Sequence, residues 1–118
     1  MATRTTVTLP YPPTVNTYWR YTPVGRSCRV FLSAKGRDYK KRVAGILYGL
    51  KPSHGRISME IEVNPPDRRK RDLDNILKAL LDSMQGILYM DDEQVDCLTI
   101  RRGEIVREGK ITISVETK

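Results

Sequence analysis

The sequence predicts an α+β fold, a small mixed β-sheet with two α-helices packed on it, forming a single domain over residues 1–118. Three observations carry this. Two stretches place apolar residues at helical spacing, several short β-branched runs alternate or cluster as strands do, and no repeat, linker or low-complexity tract divides the chain. At 118 residues the chain can bury roughly 65% of the surface that its unfolded form exposes. An apolar fraction of 39% is modest and a charged fraction of 30% somewhat high, but the apolar residues fall in periodic runs that disordered chains lack.

The first strand is read in "TRTTVTL" (3–9), a β-branched run that stops at Pro10, and the second in "CRVFL" (28–32). Between them, "PYPPTVNTYWRYTPVGRS" is too rich in Pro, Asn and Gly for a regular element. It reads as a long loop carrying Tyr11, Tyr18, Trp19 and Tyr21, and loops of that length are usually functional. Its rings have two uses, stacking on unpaired bases or burial against the sheet, and burial is expected for Trp19. Ser33 is a natural N-cap, after which Tyr39, Val43, Ile46, Leu47 and Leu50 form an apolar stripe opposite a basic side. Pro52 and Gly55 end that helix. "RISMEIEV" (56–63) then alternates, with Ile57, Met59, Ile61 and Val63 inward and Glu60 and Glu62 on the wetter face. Pro65 and Pro66 close the strand. Leu73, Ile76, Leu77, Leu80, Leu81 and Met84 predict a second amphipathic helix, with Gly86 as its C′ residue. "EQVDCLTIRR" and "GKITISV" read as closing strands, antiparallel neighbours across a turn around Glu108 and Gly109.

A formal net charge of +7 and a pI of about 9.6 make a polyanion the expected partner. Nucleic acid outranks membrane, because the sequence has no 18-residue apolar span, no signal-peptide core and no basic helix with a strongly aromatic opposite face. A soluble, intracellular protein is expected. Cys28 and Cys97 lack a CxxC spacing and His54 is the one histidine, so zinc chemistry and a His-based triad are poor readings; two reduced, partly buried thiols are expected.

The acids of this basic chain gather in "PPDRRKRDLDNILKALLDSMQGILYMDDEQ" (65–94). Asp72 stands where an N-cap belongs and Asp74 in the first helical turn, both favoured by the helix dipole, and Asp74 with Lys78 has the i, i+4 spacing of a surface ion pair. Those roles account for each residue singly. The accumulation suggests more: with Asp72 extended and Asp74 helical, both carboxylates can converge on a divalent cation, and magnesium needs only one or two carboxylates besides water and phosphate oxygens. "MDDEQ" offers Asp91, Asp92 and Glu93, either as ligands or as a type I turn. To reach the first pair, the chain must return roughly 20 Å after Gly86, with "GILYM" extended. Arg68, Arg69, Lys70 and Arg71 are a solvated charge run on the bland reading; beside a metal they would hold a phosphate against the carboxylates, with Lys78 one turn beyond Asp74 to stabilise developing charge.

"PDRRKRDLDNILKALLDSMQGILYMDDEQV" closely resembles the central motif of the RusA-type Holliday junction resolvases, small phage-associated bacterial endonucleases, and "TLPYPPTVNTYWR" is similar to that family's Pro-Pro loop with its nearby Asn, here Asn16. Thr14 stands where Ser is expected in that loop. The resemblance covers nearly the whole chain. It implies that Asp72, Asp74 and Asp92 are magnesium-binding catalytic carboxylates, with the adjoining Asp91 as the alternative, that Lys78 is the essential lysine, and that the basic run and Asn16 contact DNA. It further implies a cytoplasmic, bacterial or phage-encoded homodimer that binds four-way junctions by shape and resolves them by paired symmetric nicks, in DNA recombination and repair. The rival reading is a non-enzymatic basic nucleic-acid-binding protein whose acids serve only as caps and turns.

Overall fold

The computed structural model describes residues 3–117, apart from the side chains of Val15 and Asn16. Strand β1 (Arg4–Leu9) leads into a single helical turn, α1 (Val15–Tyr18), and then into a hairpin of β2 (Trp19–Val24) and β3 (Ser27–Leu32). Helix α2 (Ala34–Ile46), strand β4 (Ile57–Asn64), helix α3 (Asp74–Met84), strand β5 (Val95–Arg102) and strand β6 (Lys110–Thr117) complete the order. The main sheet runs β1-β6-β4-β5, and β2-β3 forms a separate two-stranded sheet. The α+β expectation holds.

Local rules placed most elements. Ser33 caps α2 by accepting the Gly36 N–H at 3.0 Å, which satisfies one of the helix's orphan donors. Tyr39 and Val43 turn inward from α2 and Leu47, its C-cap residue, is buried with them, whereas Ile46 and Leu50 from the expected stripe are exposed. Ile57, Met59, Ile61 and Val63 are buried beneath Ile76, Leu80 and Met84 of α3, and Gly86 adopts φ +86° just past the helix, as a C′ glycine does. Both cysteine thiols are free and exposed rather than partly buried. No helix among the described residues is long and apolar enough to cross a membrane.

Two expectations about strand pairing are also corrected. Strands β5 and β6 are not neighbours: β4 lies between them, antiparallel to β6 and parallel to β5. Helix α3 carries the chain back along β4, so β5 starts beside Ile57 and must run in the same direction. The segment 10–27 is likewise not an irregular loop. Its aromatic and β-branched residues pair with 27–32, and Gly25, with φ +61°, opens the two-residue turn that joins the strands. Pro23 is tolerated because each strand of a two-stranded ribbon has a free edge.

Candidate functional site

The basic run occupies the segment between β4 and α3, where it forms one wall of a cleft of about 310 Å³. Pro65 and Pro66 end the strand, and the chain then folds around Asp67. Its carboxylate accepts the Arg69 N–H at 2.9 Å and the Arg71 guanidinium at 2.6 Å. Those hydrogen bonds, Arg71 first, hold the Asp67 carboxyl down at about 2. Arg71 is partly buried, stands 5.8 Å over the ring of Tyr11, and receives on its carbonyl a hydrogen bond from Arg102 at the end of β5. Burial raises the Tyr11 hydroxyl pKa, with Arg71 and Arg102 opposing it. Arg71 is therefore a brace inside the cleft wall. Arg68 and Lys70 are exposed, and among the described residues the Arg69 guanidinium keeps only a 3.8 Å contact with Asp67.

Asp72 lines the same cleft and is exposed, and Asp74 is the first residue of α3, also exposed. The N-cap expectation for Asp72 fails. Leu73 is the cap residue, already helical at φ −61° and ψ −35°, and no side chain caps the helix. The Asp72 carbonyl instead accepts the Asn75 N–H at 3.2 Å, leaving its carboxylate outside the turn. No hydrogen bond or ion pair engages the Asp72 or Asp74 carboxylate among the described residues, and the surface pair expected between Asp74 and Lys78 does not form. The simple roles that would explain these acids away are thus unused, apart from the favourable field at the helix start, which acts on Asp74.

Asp91 and Asp92 lie elsewhere. "GILYM" is a tight turn rather than an extended return: the Ile87 and Leu88 N–H groups bond the Met84 carbonyl at 2.9 and 3.0 Å, and the Gly86 N–H bonds the Tyr89 carbonyl. Tyr89, fully buried, donates its hydroxyl within reach of both the Leu81 carbonyl at 2.9 Å and an Asp92 carboxylate oxygen at 2.7 Å. Asp92 is thereby held beside the last turns of α3, roughly 10 Å of helix rise from Asp74. Burial and the Asp92 hydrogen bond, with Asp82 and Asp91 also nearby, push the Tyr89 hydroxyl far above its ordinary pKa. Asp91 caps a 3-10 turn (Asp92–Gln94) in a reciprocal capping box with Gln94, where a type I turn was expected. Gln94 is buried and ties that turn to the Ser53 and Gly55 carbonyls at 2.9 and 2.8 Å. Among the described residues no group of three or more His, Cys, Asp or Glu side chains is placed to hold a metal ion.

Lys78 is exposed one turn beyond Asp74. The side chain of Asn16 lies outside the described residues. Sequence reasoning missed Asp67, which organises the cleft wall, and Asp82, which accepts the Tyr18 hydroxyl at 2.5 Å and faces Lys40 at 3.8 Å, joining α1, α2 and α3. Both lie inside the acid-rich motif, and the i, i+4 spacing of Asp67 and Arg71 was the one local signal, whereas the partners of Asp82 come from distant elements.

A basic α+β scaffold that opens a cationic cleft beside two unengaged carboxylates defines a nucleic-acid-processing class of protein. The family model described as "Endodeoxyribonuclease RusA" matches residues 10–116. The chain belongs to the RusA endodeoxyribonuclease family. Its relatives include the crossover junction endodeoxyribonuclease of Enterobacteria phage HK97, 41% identical over 111 residues, which are 91% of this chain and 89% of the relative. The proteins of the same name from Enterobacteria phage 82 and Escherichia coli K12 are 33% and 32% identical over 113 residues, 92% of this chain and 91% of each relative.

Proposed function

We propose that this protein is a magnesium-dependent crossover junction endodeoxyribonuclease that binds four-way DNA junctions as a homodimer and resolves them by paired nicks, in DNA recombination and repair. The observation that carries the reading is the pair Asp72 and Asp74 at the start of α3, two exposed carboxylates that no other described residue engages, one of them lining a cleft walled by Arg68, Arg69 and Lys70. The names of the relatives supply the substrate. The donor set fits magnesium, a hard ion satisfied by one or two carboxylates with waters and phosphate oxygens. Asp72 and Asp74 would hold it, and when bound it supplies a Lewis acid at the scissile phosphate.

The chain's own residues divide the remaining work. Arg68, Arg69 and Lys70 neutralise the DNA backbone and hold the phosphate against carboxylates that would otherwise repel it. Lys78, on the helix face beyond Asp74, offsets charge on the departing oxygen. Asp91 spends its carboxylate on backbone N–H groups in its cap, whereas Asp92 accepts a single hydroxyl, that of Tyr89, which supports Asp92 as the third carboxylate. Because one chain keeps Asp92 at the far end of α3, a second copy supplies it. That also accounts for a dimer, since two strands related by a near two-fold axis need two equivalent sites.

Asp74→Asn tests the assignment, because it keeps volume while removing the charge. Single-turnover cleavage of a four-way junction in saturating magnesium should fall by orders of magnitude, while band-shift binding in chelator survives. Near wild-type cleavage would sink the metal assignment. Co-refolding Asp74→Asn with Asp92→Asn should restore nicking of one strand, because a mixed dimer then keeps one intact site; no recovery would return Asp92 to its own chain.

A further inference from the structure

The β2–β3 hairpin stands apart from the main sheet, and most of its residues are exposed. It extends roughly 17 Å from root to tip at the usual strand rise. The molecule measures 52 × 34 × 25 Å with a radius of gyration of 15.0 Å, against about 13.5 Å for a compact domain of this length. Its two faces differ. Cross-strand partners share a face, so Trp19 with Leu32, Tyr21 with Val30, and Pro23 with Cys28 form one wholly apolar side. The root of that stripe, Trp19 and Leu32, packs on the core, and Trp19 meets Tyr18 edge-on at 5.1 Å. Farther out the stripe is uncovered, with Tyr21 61% and Val30 52% exposed. The other face is mixed, with Arg20 and Arg29 among Thr22, Ser27 and the exposed Val24 and Phe31, and Arg26 sits at the tip. No Asp or Glu precedes Asp38 anywhere in the sequence.

We propose that this hairpin is an arm that enters the opened centre of a branched DNA and lays its apolar face on unpaired bases while its arginines hold the flanking phosphates. The inference rests on the function proposed above and adds the element that distinguishes a junction from duplex. Base edges in a groove present polar atoms that an apolar stripe cannot satisfy, whereas an unpaired base offers a π-face that an exposed tyrosine ring can cover. The acid-free arm suits DNA better than a second copy of the chain, because two such arms would bring like charges together.

The test is a Tyr21→Ser, Val30→Thr double variant, with Tyr21→Phe as the ring-preserving control and Tyr21→Ser alone should the pair fail to fold. Both residues are exposed, so melting should be unchanged. A junction carrying 2-aminopurine at the crossover reports stacking. The double variant should lose the fluorescence change on binding and roughly tenfold in junction affinity. Binding to linear duplex should stay within about twofold, and Tyr21→Phe should behave as wild type. An unchanged 2-aminopurine signal in a variant overturns the arm and leaves the nuclease reading standing; wild-type protein that neither binds nor cuts junctions overturns both. A variant that sediments as a monomer where wild type is dimeric reassigns the apolar face to contact between copies.

Discussion

One substitution made at two places in α2 should have opposite signs. Gly36 and Gly45 both lie in this helix, where alanine is intrinsically favoured over glycine by about 0.8–1.0 kcal/mol. A β-carbon added at Gly45 would meet nothing within 4 Å, so Gly45→Ala, one residue from the helix end, should stabilise by about 0.5 kcal/mol. At Gly36 a β-carbon would stand 2.5 Å from the Tyr18 carbonyl oxygen. Ordinary contact begins near 3.4 Å, so that oxygen must retreat by about 0.9 Å. It has little freedom to do so. It accepts the Ser33 N–H at 2.9 Å, and the Tyr18 side chain is buried with its hydroxyl on Asp82. Overpacking of this kind costs about 1–3 kcal/mol and a weakened backbone hydrogen bond about 1 kcal/mol more. After the helical gain, Gly36→Ala should destabilise by about 1–3 kcal/mol, a fall of about 4 °C in melting temperature for each kcal/mol. Urea unfolding followed by circular dichroism measures both variants. Equal shifts of the same sign would refute the argument that Tyr18 seats against α2.

Three further outcomes follow from the electrostatics. Burial, aided at Tyr18 and Tyr89 by hydrogen bonds to Asp82 and Asp92, raises the pKa of Tyr18, Tyr39 and Tyr89 above 10, so the stability they confer is fully present below pH 10 and is lost as pH rises beyond it. Each adds up to about 1.4 kcal/mol per pH unit to the alkaline slope, and Tyr89→Phe should remove one such share in urea titrations at pH 10–11. The Asp67 carboxyl, depressed from 3.8 to about 2 chiefly by Arg71, contributes stability that is present above pH 3.8 and lost as pH falls toward 2; Asp67→Asn should flatten that acid limb of the unfolding midpoint. Arg68→Ala should reduce the salt slope of DNA binding by roughly one, whereas Arg71→Ala should act mainly by lowering thermal stability, because its guanidinium is already taken by Asp67.

What the sequence determined by itself is what depends on a residue's near neighbours. The Ser33 cap, the inward run of Ile57, Met59, Ile61 and Val63, the stripe of α3 and the left-handed Gly86 all follow from side-chain periodicity and backbone sterics acting over a few residues. The family motif is equally local, so the acids and the basic run could be singled out without coordinates. Only the tertiary structure decided which of these meet. The crossover through α3 made β5 a parallel partner of β4, and the tight turn after Gly86 kept Asp92 with Tyr89 rather than with Asp74. It also turned Arg71 inward onto Asp67 and Tyr11 while leaving Arg68 and Lys70 exposed. It converted the aromatic loop into an arm, because pairing with the next strand satisfied backbone groups that Pro and Gly had marked as irregular. These outcomes depend on contacts between residues far apart in the chain, where no local pattern records which partner satisfies a given hydrogen bond or charge.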